Sequence, residues 1–188
     1  DRTVIAAVER PDLARLYDFM LVHLADANAG RSVRHVDEVL AVFGTITAAG
    51  LQPHEFIAER GSRDRRERAS FDWESGIVTL HEDKTAALML PTFDPLALMW
   101  QYYFAPPTAD EQTIHVATTR RVAKYTVTRT GTEQIDWPNG QLDTEVWHRV
   151  SEDGKTDALI WLSPRLNFIP VKIRGSNTDR GTLEIMLD

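Results

Sequence analysis

The sequence predicts a mainly β domain: a curved antiparallel sheet or half-open β-barrel with one covering helix over residues 94–104. Three observations predict it. Short runs rich in β-branched and aromatic residues recur from residue 44 onward, punctuated by turn signals every 8–12 residues or so. Two of those signals, Asn139-Gly140 and Asp153-Gly154, accept positive φ and favour tight hairpins. Clear helical punctuation occurs once, so the helix–strand alternation of a doubly wound fold is missing.

The elements follow in order. From Leu13 to Ala27 the apolar positions Leu13, Leu16, Phe19, Met20, Val22 and Leu24 fit a helix or a strand. Pro11-Asp12 could start a helix there with Asp12 as N-cap. His35 to Phe43 is equally open. After Gly44, Thr45–Gly50 and His54–Glu59 read as strands around a Gly50-Leu-Gln-Pro53 turn, and Arg68–Trp73 and Ile77–His81 flank Glu74-Ser-Gly76. Asp94 caps the helix, Pro95 takes its first position and Pro106-Pro107 stop it. Leu96, Met99, Trp100, Tyr103 and Phe104 recur at three and four, which gives it an apolar face. Ala123–Thr128, Leu142–Val150, Asp157–Leu162, Phe168–Arg174 and Thr182–Leu187 complete the strands, with turns at Trp137–Gly140 and Glu152–Lys155.

Alternation assigns faces. Ile169, Val171 and Ile173 share a dry side, as do Leu183, Ile185 and Leu187, while Lys172, Arg174 and Glu184 face water. Between 142 and 150 both faces carry bulk. Leu142, Val146 and Val150 lie on one, and Trp147 lies on the other beside Glu145 and Arg149, which reads as a cross-strand ion pair next to an aromatic.

Composition sets the outer bounds. A chain of 188 residues suits one domain, here 1–188 with an N-terminal part over 1–43 and a core over 44–188. Its net charge of −7 argues against a nucleic-acid binder, which needs surplus Lys and Arg. With no cysteine, disulfides, thiolate metal sites and a Cys nucleophile are excluded. The apolar runs near Leu16–Leu24 and Leu96–Phe104 are broken by polar residues, short of the ~18–20 residues a spanning helix needs. The chain opens Asp1-Arg2-Thr3 without Met, and we expect a product from which a signal peptide has been removed.

Candidate chemistry is sparse. His23, His35, His54, His81, His115 and His148 show no metal-ligand spacing, so neither a metal nor any other cofactor is expected. There is no Gly-x-Ser-x-Gly, and Ser163 sits in the turn-forming Leu162-Ser-Pro-Arg165, so no catalytic residue is assigned. Asp72, Glu133, Asp136, Asp143 and Glu145 are strand carboxylates of which two could share a cavity as acid and base. The run Arg60–Arg68 holds five arginines (Arg60, Arg63, Arg65, Arg66 and Arg68) in nine residues. It is an anion-binding candidate for phosphate or lipid head groups, against a plain reading as a charged hairpin connection diluted by Asp64 and Glu67. Aromatics concentrate in the strands and the helix. Trp73, Trp100, Tyr103, Trp147 and Trp161 are the ligand-binding candidates, against a plain role as core filling.

The order of motifs carries a resemblance. Gly44-Thr-Ile-Thr-Ala-Ala-Gly-Leu-Gln-Pro53, Glu59-Arg-Gly61 with the arginine-rich turn, Ala69-Ser-Phe-Asp-Trp73, Gly76-Ile-Val-Thr79, Asp94–Tyr103, Ala117–Arg121, Leu142–Val150, and Leu159-Ile-Trp-Leu-Ser-Pro164 with Pro170-Val-Lys-Ile-Arg174 occur in series. Over Gly44 to Leu187 the chain resembles an exported proteobacterial family of uncharacterised domains. The resemblance implies two strands within Leu13–Ala27 and Ser32–Val42, and a shape similar to envelope β-sheet carriers that hold lipoproteins or lipids in a half-open barrel. It also implies a periplasmic or outer-membrane-facing location and brings no catalytic residue. Three functions follow as expectations. The first is an envelope protein holding a lipid or other apolar ligand in its curved sheet. The alternatives are an assembly module binding an envelope partner protein, and a hydrolase or isomerase with a carboxylate pair in the barrel mouth.

Overall fold

A computed structural model of the chain describes residues 6–9, 16–20, 38–60, 66–138, 140–177 and 181–186. Its strands form two seven-stranded sheets, each in chain order. Sheet 1 contains β1 (Ala6–Glu9), β2 (Leu16–Met20), β3 (Glu38–Thr47), β4 (Gly50–Arg60), β5 (Arg66–Asp72), β6 (Ile77–Thr79) and β7 (Thr85–Ala87). Sheet 2 contains β8 (Thr92–Phe93), β9 (Glu111–Ala117), β10 (Val122–Trp137), β11 (Gly140–Ser151), β12 (Thr156–Ser163), β13 (Ile169–Asn177) and β14 (Gly181–Met186). Sheet 2 curls into a half-barrel, and helix α1 (Pro95–Phe104) lies between β8 and β9 in the chain. Every pairing is antiparallel except β8 with β9. Among the described residues, the mainly β fold with one α-helix is therefore the one the sequence predicts, divided between two sheets.

The open N-terminal stretch is strand wherever it is described. Leu16–Met20 pairs with Ala41–Thr45, so the helical alternative does not hold there, while Pro11 and Asp12 lie outside the described residues. The turn expected at Gly50–Pro53 lies earlier, at Ala48-Ala49, with Thr47 opposite Gly50. Gly50 has φ +101, a conformation that costs a side chain dearly, and this lets the chain reverse before the expected residues. Pro53 then sits inside β4. It is tolerated there because pairing slips between Phe43 and Gly44, leaving His54 as the extra residue of a bulge.

A bulge also corrects the face assignment in β13. Trp161 pairs with Lys172 but Leu162 pairs with Pro170, so Val171 is the extra residue. Val171, fully buried, joins Trp161, Ile135 and Leu142 in a second core, whereas Ile173 packs against the main one. The dry and wet faces expected of this sheet are thus both partly dry. Leu166, in a 3-10 turn at Pro164–Leu166, packs with Trp137 over the second core, and Lys172 and Arg174 lie over the Trp161 ring. Of the expected dry side of β14, Ile185 is 38% exposed, and the Leu183 and Leu187 side chains lie outside the described residues.

The main core joins both sheets and the helix. Val42, Phe56, Phe71 and Val78 of sheet 1 meet Leu96, Ala97 and Tyr102 of α1, and Ile114, Val127, Trp147 and Leu162 of sheet 2. Gln101 fastens the helix to sheet 1. Its Nε2 donates to the Ala49 carbonyl at 2.8 Å and its Oε1 accepts from the Leu51 N–H at 2.8 Å, straddling Gly50. A Cβ on Gly50 would stand 2.2 Å from Gln101 Nε2. A second tie runs from Glu67, buried on β5, to the loop before β10. Its carboxylate accepts from Thr119 Oγ1 at 2.6 Å and Arg120 Nε at 2.9 Å. Gly50→Ala should lower stability by about 3 kcal/mol, through backbone strain and loss of both Gln101 bonds. Gln101→Ala should cost about 2 kcal/mol by orphaning a buried N–H and carbonyl. Urea denaturation of the two variants and of the double variant measures both, and the double variant should be less than additive.

Candidate functional site

The concave face of sheet 2, beneath α1, is where polar chemistry enters the core. The helix is positioned by its first residue. Asp94 is wholly buried, and its Oδ1 accepts from the N–H groups of Leu96 at 2.8 Å and Ala97 at 3.0 Å, while Oδ2 has no partner. Burial pushes this carboxyl up to about 7 against the pull of the two N–H donors. On the far side of the helix, Tyr102 stacks on Trp147 of β11 with ring centroids 6.2 Å apart. Its hydroxyl accepts from Gln112 Nε2 of β9, and burial raises it to about 12, so it keeps its proton.

Register then dictates what lies around Trp147. Across β10 and β11 the concave pairs are Tyr125–Ser151, Val127–Arg149 and Arg129–Trp147. The row continues from Arg149 to Ala158 on β12 and Gly175 on β13. Arg129 is compensated: Glu145 lies 3.4 Å and Asp110 3.6 Å away, and Trp147 Nε1 donates to the same Glu145 at 3.2 Å. This is the cross-strand ion pair beside an aromatic that the sequence predicts, with Arg129 rather than Arg149 as its cation. Arg149 makes no hydrogen bond and no ion pair among the described residues. Its guanidinium carbon lies 5.2 Å from the Tyr125 ring centroid, its Nε is sealed from solvent, and the residue as a whole keeps a partial opening. Desolvation lowers its pKa, with Tyr125 and Tyr102 opposing, yet a guanidinium stays charged.

The aromatic candidates do not converge. Trp147 and Trp161 are both buried, but on opposite faces of sheet 2. Trp161 donates to Glu133 Oε2 at 2.7 Å. Trp73, in the turn after β5, stacks on Phe71 and donates to the Pro53 carbonyl of β4 at 2.6 Å. On α1, Trp100 is partly buried and Tyr103 is 41% exposed, packed edge-on against Phe104. Of the arginine run, Arg66 pairs with Glu59 at 3.5 Å and Arg68 with Glu55 at 2.9 Å, as a charged hairpin would. Arg63 and Arg65 lie outside the described residues, as does the Arg60 side chain.

The carboxylates fare differently. Glu133, Asp143 and Glu145 line one groove of about 410 Å³ with Thr132, Gln134, Thr144 and Pro164. Each is already engaged, Glu133 by Trp161, Asp143 by Gln134 at 2.7 Å, and Glu145 by Arg129 and Trp147. His54 bonds Thr45 Oγ1 and His148 bonds Asp157, and no three ligating side chains gather among the described residues. No described helix is long and apolar enough to cross a membrane.

With this geometry in place, the family comparison decides one point. The family model "Protein of unknown function (DUF3108)" matches residues 23–188. The chain belongs to the DUF3108 family. The match starts at residue 23, so it takes in the stretch before Gly44 that the resemblance did not cover. No curated protein and no solved structure matches. Arg149 is the residue that the aromatic and arginine-run candidates passed over. Its signal was parity with Trp147, one concave position away on the same strand.

The Asp94 carboxyl, raised in the fold above its ordinary 3.8, binds its proton more tightly folded than unfolded. Stability should therefore rise as pH falls from about 7 toward 4 and drop as pH rises through that window, by up to about 1.4 kcal/mol per pH unit from this group. Asp94→Asn keeps the cap and should flatten that slope when chemical denaturation is followed at pH 5, 6, 7 and 8.

Proposed function

We propose that this DUF3108 domain is a non-catalytic binding module that holds an apolar ligand against the concave face of sheet 2, beside α1. The observation that carries this is the space over half-buried Gly175 in the row of Arg149, next to buried Ala158. Ala158 and Gly175 present almost no side chain there, and a Cβ built on Gly175 would meet only the Asp157 carbonyl, at 3.9 Å. The wall beside it is aromatic (Tyr102, Tyr125 and Trp147), the lining that apolar ligand sites favour. We assign the domain to the periplasm or an outer-membrane-facing position, on its resemblance to exported domains.

A second reading has one observation in its favour. Ile77, Met89 and Leu90 are 42%, 53% and 78% exposed near the β6–β7 edge of sheet 1, an apolar surface suited to an envelope partner protein. The carboxylate groove gives acid–base catalysis less support, because its three carboxylates are held by neighbours.

The binding reading is tested with an apolar fluorescent probe such as N-phenyl-1-naphthylamine. Saturable binding is expected, with a change in the emission of Trp147. Gly175 has no positive φ and faces open space, so Gly175→Leu should fold normally and lose most of the binding. Leu90→Ser should bind as the parent does. Binding untouched by Gly175→Leu would remove the space over Gly175 as the site.

A further inference from the structure

We infer that Arg149 anchors the head group of an anionic amphiphile, a molecule whose carboxylate or phosphate meets the guanidinium while its apolar chain lies over Gly175. The inference rests on the binding reading above and names the class of ligand. Its starting point is an imbalance of charge. A charge withdrawn from water is normally paired, because the lost hydration is recovered only through a counter-ion or hydrogen bonds. Arg149 has neither among the described residues, and its Nε is shut off from solvent.

The neighbouring arginine supplies the control. Arg129 lies one concave position further along the adjacent strand, beside the same tryptophan, and Glu145 and Asp110 stand within 3.4 Å and 3.6 Å of it. The same face therefore supplies counter-ions to one arginine and withholds them from the next. The Tyr125 ring, 5.2 Å from the Arg149 guanidinium carbon, steadies the cation without neutralising it. An aromatic face behind a guanidinium leaves its donor edge free to grip a carboxylate or phosphate with two parallel N–H bonds.

Space and polarity agree with a ligand that has two ends. Next to Arg149 in its row come buried Ala158 and then half-buried Gly175, where a Cβ would meet only the Asp157 carbonyl at 3.9 Å, and the neighbouring core is apolar. Tyr102 lies within electrostatic reach of the same guanidinium and retains its hydroxyl proton. A purely apolar ligand would leave the guanidinium unused. An anion without a chain would leave the space over Gly175 empty.

The test compares dodecanoate, dodecyl phosphate and dodecanol below their micelle concentrations, on the parent protein, Arg149→Met and Arg149→Lys, by tryptophan fluorescence and thermal melting. The parent should bind at least one of the two anions about 10- to 100-fold more tightly than dodecanol, the range expected of charged hydrogen bonds. Tighter binding of the phosphate or of the carboxylate identifies the head group, and either supports the anchor. In Arg149→Met the preference should vanish while dodecanol still binds. The ligand-free melting temperature should hold or rise, because an uncompensated charge has been removed. A merely structural arginine would lower it. If Arg149→Met does not fold, Arg149→Lys decides, keeping charge but losing the fork: the anions should weaken several-fold and dodecanol should not. Anion preference unchanged in either variant, or equal weakening of all three compounds, overturns the anchor and leaves the apolar site standing. A parent that binds none of the three overturns the binding reading itself.

Discussion

One turn of helix does the work of joining two sheets. Gln101 and Tyr102 are consecutive, so about 100° of helical rotation separates their side chains, and each addresses a different sheet. The first clasps the backbone on either side of Gly50 in sheet 1, and the second stacks on Trp147 in sheet 2. The helix that makes these contacts is set by Asp94, whose cap bonds fix its start inside the core. Remove the clasp and the hairpin loses the Gln101 hydrogen bonds that tie its backbone to the helix. Remove the stack and the floor of the concave face loses its cover. The position of Arg149 follows from the same arrangement, since it lies one concave step from Trp147 on β11.

Charges inside this protein are handled unequally. Glu67 is buried and held by Thr119 and Arg120, which turns a carboxylate into a tie between β5 and the loop before β10. Arg129 and Glu145 neutralise each other and orient the Trp147 indole. Lys172 and Arg174 sit over Trp161 on the convex side, with Glu184 within reach of both. Arg149 departs from this pattern, and Asp94 departs in a milder way, with one oxygen serving as cap and the other unmatched. Stability is served by the matched groups, whereas unmatched buried polar groups cost stability and are commonly kept for function.

The sequence made α1 legible because every local signal agreed: Asp94 as cap, Pro95 at the first position, apolar residues at three and four, and paired prolines beyond the end. The hairpins that join β10 to β11 and β11 to β12 were legible for the same reason, as turn chemistry is local. Bulges were not. One extra residue at Val171, or at His54, reverses the parity on which face assignment depends, and nothing in the side chains announces the slip. The aromatic candidates scattered because composition says how much apolar bulk exists and not which face it occupies. Arg149 could be placed on the Trp147 face by counting. Its lack of a counter-ion could not be read, because that depends on Val127 and Ala158, rather than an acid, standing opposite it.

Both sheets are meanders in strict chain order, with β8 on β9 as the one parallel pairing. Nearly every strand therefore finds its partner next in line, and closing each hairpin loop costs little chain entropy. Each sheet can zip up from any of its turns by contacts between near neighbours. The long-range cost falls on the helix, which touches β3 and β4 on one side and β13 on the other. The ten residues of the helix thus carry contacts of long sequence separation to both halves.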